Sequence, residues 1–249
     1  MSSANSQRTM SFWEHLAELR WRLFICALAL VAGAGVAYVA RLWIYGLLVE
    51  PLLRAAPGIK LNYFSPVEPF FVYMRLALFG GVVLASPVVL YQLWAFIAPA
   101  LTRRERRLAA PVVPLILLLF ICGVLFVYFV LLPFSLQFLL GLAPVQAEPE
   151  LSQERYFGFI TALCLAGGIL FELPAALGLL GWLGLVNARW LWQRTGHALV
   201  VLMIVAAIIT PTGDAFTMLV FTAPLMALYL LSIGVVWGIQ RRGGNKTAT

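Results

Sequence analysis

Between Leu199 and Ile209 the chain reads LVVLMIVAAII, and after the short interruption TPTGDAFT at 210–217 a second apolar block begins. No polar residue breaks the first block, and hydrophobic and polar residues do not alternate in it. A strand of a transmembrane barrel would alternate over about 10 residues. A continuous apolar run fits a helix whose every face meets apolar surroundings. Working outward, the same kind of block recurs along the chain, which is 63% hydrophobic and only 11% charged. A soluble domain carries about 25% charged residues. One soluble core could not bury this much apolar surface, so lipid must be the solvent for much of it.

Six blocks approach the roughly 20 residues that cross the hydrocarbon as a helix. They are Leu23–Val39, Pro69–Leu93, Ala109–Pro133, Tyr156–Leu180, His197–Ile209 and Phe216–Trp237. The fifth is short, and the Pro/Gly/Asp turn signal after it predicts a tight hairpin with the sixth. Prolines at 87, 111, 114, 133, 174 and 224 fall within these blocks. Each removes a backbone donor and tends to kink its helix. Hydroxyls and neighbouring helices would have to satisfy the freed carbonyls. The stretch from Trp43 to Pro66, with Pro51 and Pro57 inside it, reads as a loop of short interfacial helices. The expectation is thus an all-α integral membrane protein of six kinked helices. Its parts are an amphipathic segment at 1–22, a membrane domain at 23–237 and a mobile tail at 238–249.

Charge placement orients the chain. One side would hold Arg8, Arg20, Arg22, Arg103, Arg104, Arg106, Arg107, Arg189, Arg194, Arg241, Arg242 and Lys246; the other only Arg41, Arg54, Lys60 and Arg155. Glu50, Glu68, Glu148, Glu150, Glu154 and Asp214 fall on the second side. Basic short loops face the cytoplasm, so both termini are expected there. This placement accounts for the formal charge of +7 without nucleic acid, since no aromatic-basic interleaving occurs on a soluble face. Glu14 and Glu18 ahead of the first block, with no small-residue cleavage pattern after it, argue against a cleavable signal peptide. Cys26, Cys122 and Cys164 lie far apart in apolar blocks and read as packing residues. With neither an HExxH nor a GxSxG motif, and no phosphate-binding glycine loop, enzyme chemistry, cofactors and metals are not expected.

Three constellations stand out. In SFWEHLAELRWRL (11–23), Glu14, Glu18 and Arg22 share one helical face, with Phe12, Leu16, Leu19 and Leu23 opposite. An i,i+4 ion pair to Arg22 is one reading, worth a few tenths of a kcal/mol. In AFIAPALTRRERRL (95–108), Glu105 sits among four arginines. It either softens their repulsion or awaits an external cation. Glu172, in GGILFELPAALG, is a carboxylate within a span, costing roughly 2.5–3.5 kcal/mol to insert. It could meet a polar group on a partner helix or serve a carbonyl freed by Pro174. A proton-coupled secondary transporter built on Glu172 is the alternative functional class, although no inverted repeat supports it.

The order of these motifs carries a resemblance. FWEHLAELRWRL, SPVEPFFVYMRL, ASPVVLYQLWAFIAPALTRRERR, FELP and ITPTGD together resemble TatC, the multispanning receptor subunit of the twin-arginine protein translocase, from about Ser11 to about Trp237. The resemblance implies a glove-shaped, concave six-helix protein in a prokaryotic plasma membrane. It implies binding of signal peptides with two consecutive arginines, single-span TatA and TatB partners, self-association, and export of folded proteins by the proton gradient. Carried over residue by residue, Glu18 and Glu105 would take the arginines, while Phe96, Pro99 and Leu101 shape the pocket and Gln92 supplies a polar group. Glu172 and Asp214 would face partner helices or the inserted signal. Arg75 departs from the pattern, standing where lysine is expected.

Overall fold

The computed structural model describes residues 12–97, 112–141, 150–209 and 215–244. Helix α1 (Phe12–Val39) runs without a break from the amphipathic motif into the first apolar block. Helix α2 (Arg41–Ala55) follows after a single residue. Then come α3 (Glu68–Ile97), α4 (Val112–Phe126), a π-helical turn (Val127–Leu131) and α5 (Leu132–Gly141). The chain continues with α6 (Gln153–Leu170), α7 (Leu173–Trp182), α8 (Ala188–Gln193), α9 (Thr195–Ile209) and α10 (Ala215–Gly244). Among the described residues, five helical stretches are long and apolar enough to cross a membrane, while α9, with 15 residues, is shorter.

Two local outcomes differ from the sequence reading. The segment after α1, expected as a loop of short interfacial helices from Trp43, is one four-turn helix that already starts at Arg41, and it buries Ile44, Leu48 and Leu52. Pro51 would leave the Leu47 carbonyl without its donor; the Tyr128 hydroxyl supplies one at 2.7 Å. The third apolar stretch remains helical to Gly141 instead of ending at Pro133. There the helix widens into the π turn, in which the Leu132 N–H reaches back to the Val127 carbonyl, and the missing proline donor is absorbed. The fourth stretch breaks at Phe171–Glu172, just ahead of Pro174, one of the prolines expected to kink its helix. The all-α expectation also missed a parallel two-residue pairing, β1 (Leu61–Asn62) with β2 (Leu151–Ser152).

Helix contacts depend on small residues. A Cβ on Gly33 would stand 2.8 Å from the Gly81 carbonyl oxygen, and one on Gly81 only 2.7 Å from the Ala34 nitrogen. The α1 and α3 backbones therefore touch, as membrane helices do where glycine lets them approach. Phe157, Ile160 and Leu163 of α6 pack with Leu48, Leu52, Leu76 and Leu132 in the main core. A second cluster joins Leu191, Leu202, Leu225, Tyr229 and Val236 of α8, α9 and α10. Apart from Ala37, the described side chains of α1 are half-buried or exposed, including Leu23, Leu28 and Val31. Buried hydroxyls bond within their own helices: Ser86 to Val83, Ser135 to Leu131 and Ser232 to Leu228, each at 2.7 Å. The Val83 carbonyl is the one Pro87 deprives of a donor, so the Ser86 hydroxyl supplies what the proline withholds.

Candidate functional site: a carboxylate cluster where α1 meets α3

The close α1–α3 approach brings the start of α1 against the end of α3. Glu18 and Arg22 lie one turn apart on α1, and Gln92 and Phe96 one turn apart on α3. Arg22 donates to Glu18 Oε1 from Nε at 3.0 Å and from Nη2 at 2.5 Å. Its Nη1 reaches across to Gln92 Oε1 at 2.9 Å. His15, one turn before, stacks its ring on Phe96 with centroids 4.4 Å apart. The Glu18 side chain is 20% exposed. Its second oxygen, Oε2, is buried and has no hydrogen-bond partner among the described residues. His15 Nδ1 stands 3.9 Å from it, beyond hydrogen-bonding reach.

This arrangement is a carboxylate with one oxygen fully used and the other open. A buried acceptor without a donor costs about 1–3 kcal/mol, which an arriving donor would return. One turn before it, the His15 ring stacks face to face on Phe96 of α3. A guanidinium can stack on the outer face of an aromatic ring while it donates from its edge to a carboxylate.

Of the residues singled out from sequence, Glu18, Gln92 and Phe96 come together here. Glu105, Pro99, Leu101 and Asp214, with the whole arginine run at 103–107, lie outside the described residues. Glu172 is elsewhere, half-buried at the junction of α6 and α7, with Oε1 buried and unpartnered among the described residues. Its neighbour Phe171 lines a shallow apolar cleft with Val127, Leu131, Ala206, Phe221 and Pro224. Sequence reasoning passed over His15 and treated Arg22 only as an ion-pair partner. The i,i+4 spacing to Glu18 was visible, but the link to Gln92 spans 70 positions and leaves no local signal.

Glu68 was also passed over. At the opposite end of α3 its carboxylate is only 4% exposed. It accepts from Phe64 N at 2.7 Å, Ser152 Oγ at 2.8 Å and Glu154 N at 2.9 Å. These bonds latch the segment before α3 to the start of α6, beside the β1–β2 pair. The Tyr156 hydroxyl adds a bond to the Leu48 carbonyl at 2.7 Å.

The fold is that of a multi-pass helical membrane protein, and its similarities place it among protein-transport components. The family model of the Sec-independent protein translocase protein TatC matches residues 14–224. The chain is 38% identical over 248 residues to the Sec-independent protein translocase protein TatC of Koribacter versatilis, covering 98% of this chain and 91% of that one. It is 40% identical over 226 residues to the TatC of Aquifex aeolicus, covering 90% and 93%. A crystal structure described as the twin arginine translocase receptor TatC superposes with a TM-score of 0.82 at 39% identity, over 90% of this chain and 98% of that one. The chain belongs to the TatC family and is a component of a Sec-independent protein translocase.

Proposed function

We propose that this chain is the receptor of its translocase and binds twin-arginine signal peptides through the cluster at Glu18. The observation that carries this reading is the Glu18 carboxylate, held by α1 and α3 with one buried oxygen unpaired among the described residues, one turn from the His15 ring that stacks on Phe96. Twin arginines present two planar forks, and charge-assisted bonds from such forks to carboxylates are the strong ones. Glu18 takes one arginine and Glu105 the other, with Phe96, Gln92, Pro99 and Leu101 bounding the pocket. The description of a similar solved structure as a twin arginine translocase receptor favours the same reading.

The rest of the reading follows from charge and family. The six-span, glove-shaped domain (23–237) sits in a prokaryotic plasma membrane with the 1–22 segment, the 238–249 tail and the basic loops in the cytoplasm, as the lysine and arginine asymmetry favours. Single-span TatA and TatB subunits, and further copies of this chain, complete the machine, and the proton gradient drives export of folded proteins. Glu172 and Asp214 meet polar groups of those partners or of the inserted signal. A carboxylate at such a depth is a functional group by default.

The test is affinity in detergent for a twin-arginine peptide against its twin-lysine counterpart. The native chain is expected to prefer arginine. Glu18→Ala and Glu105→Ala are each expected to lose about tenfold or more. Equal binding of both peptides, indifferent to both substitutions, would overturn the assignment.

A further inference from the structure

The way Arg22 holds Glu18 is unusual in one respect. A guanidinium free to choose its geometry meets a carboxylate fork to fork, one N–H on each oxygen. Here Nε and Nη2 both fall on Oε1, at 3.0 and 2.5 Å, while Nη1 is turned to Gln92 Oε1 at 2.9 Å. Gln92 belongs to the other helix and anchors the far edge of the guanidinium, which keeps the fork away from Oε2. The result is a carboxylate fixed in rotation, with Oε1 saturated and Oε2 buried and open among the described residues.

We propose that Arg22 is a positioning residue: it stays on Oε1, anchored by Gln92, while an arginine of the signal peptide donates to Oε2. This rests on the receptor reading above and adds to it how Glu18 is shared. One carboxylate then lies between two guanidinium groups, one of the chain and one of the peptide. The peptide's fork reaches Glu18 on a single oxygen, so full fork-to-fork pairing is left to the second carboxylate. A carboxylate locked in advance loses little conformational freedom on binding. Without Arg22 it would have to be ordered by the peptide itself. The opposite arrangement, in which Arg22 plugs the site and must be displaced, gives the opposite sign: removing Arg22 would tighten binding.

The experiment measures the affinity of a fluorescent twin-arginine peptide for the full-length chain in detergent. Its variants are Arg22→Gln, Arg22→Lys, Glu18→Ala and the double variant Glu18→Ala/Arg22→Gln. Arg22→Gln is expected to weaken binding about tenfold. Arg22→Lys, which keeps the charge but not the fork, recovers part of that loss. The double variant binds no more weakly than Glu18→Ala alone, because a residue that acts through Glu18 has nothing left to act on. If Arg22→Gln lowers the yield of folded chain, Gln92→Leu removes the anchor while leaving Arg22 in place, and a smaller loss in the same direction is expected. Tighter binding by Arg22→Gln, or losses that simply add in the double variant, would overturn the positioning role and leave the receptor reading standing. An unchanged affinity for Glu18→Ala would overturn both.

Discussion

Each end of α3 lies at a structured carboxylate, its own Glu68 at the start and Glu18 of α1 near the finish, and the two are treated in opposite ways. At its start Glu68 is buried, and its oxygens accept from three donors on two separate segments. Near its finish Gln92 steadies the guanidinium that holds Glu18, and there one carboxylate oxygen is left without a donor among the described residues. Buried polar groups in folded proteins are almost always satisfied. A saturated carboxylate therefore reads as a latch, and an unsaturated one as a site in want of a ligand. The end with α2, β1 and β2 follows the same rule as Glu68, since the tyrosine hydroxyls of Tyr128 and Tyr156 each bond a carbonyl of α2.

The largest effect is expected midway along α3. Gly81→Leu puts a side chain where the Ala34 backbone stands and is expected to cost about 3 kcal/mol or more. Thermal unfolding in detergent should show the loss. Peptide binding should fall with it, because α1 no longer sets Glu18 against Gln92; a variant of unchanged stability would show that the backbones do not need to touch. Next in size is Glu18→Ala, expected to weaken twin-arginine binding by about 1.5–3 kcal/mol while the thermal midpoint barely moves. A fall in stability without a fall in affinity would make Glu18 a second latch and erase the contrast. Glu68→Gln should do the reverse, lowering the midpoint by several degrees while peptide affinity holds. Smallest is Tyr156→Phe, which removes one hydroxyl from the Leu48 carbonyl and is expected to cost about 1 kcal/mol with affinity again unchanged.

Much of this molecule was legible in its sequence because lipid imposes simple rules. Long uncharged blocks such as 199–209 can only be helices, and the motif order from Phe12 to Asp214 pointed to the family that the comparisons then showed. Proline was harder to read. Pro51 and Pro133 look like breakers in one dimension, yet both sit in continuous helical structure. A tyrosine 81 positions away repairs the first, and a π turn absorbs the second. Glu18 was visible as a candidate through its i,i+4 partner. The open oxygen was not, since it depends on Gln92 pulling Arg22 aside across two helices. Glu68 was read as one more surface charge because its donors at 152 and 154 come from another part of the chain. Contacts between distant segments decide which polar groups are satisfied, and local pattern carries no trace of them.

The central claim is that the open carboxylate, and not the latched end, receives the signal. A photo-crosslinking residue placed at Phe96, and in a separate variant at exposed Tyr63 beside the latch, tests it directly with a labelled twin-arginine peptide and the full-length chain. An adduct at 96 that excess unlabelled twin-arginine peptide suppresses, and none at 63, is the expected result. An adduct at 63 without one at 96, or equal labelling of both, would contradict it.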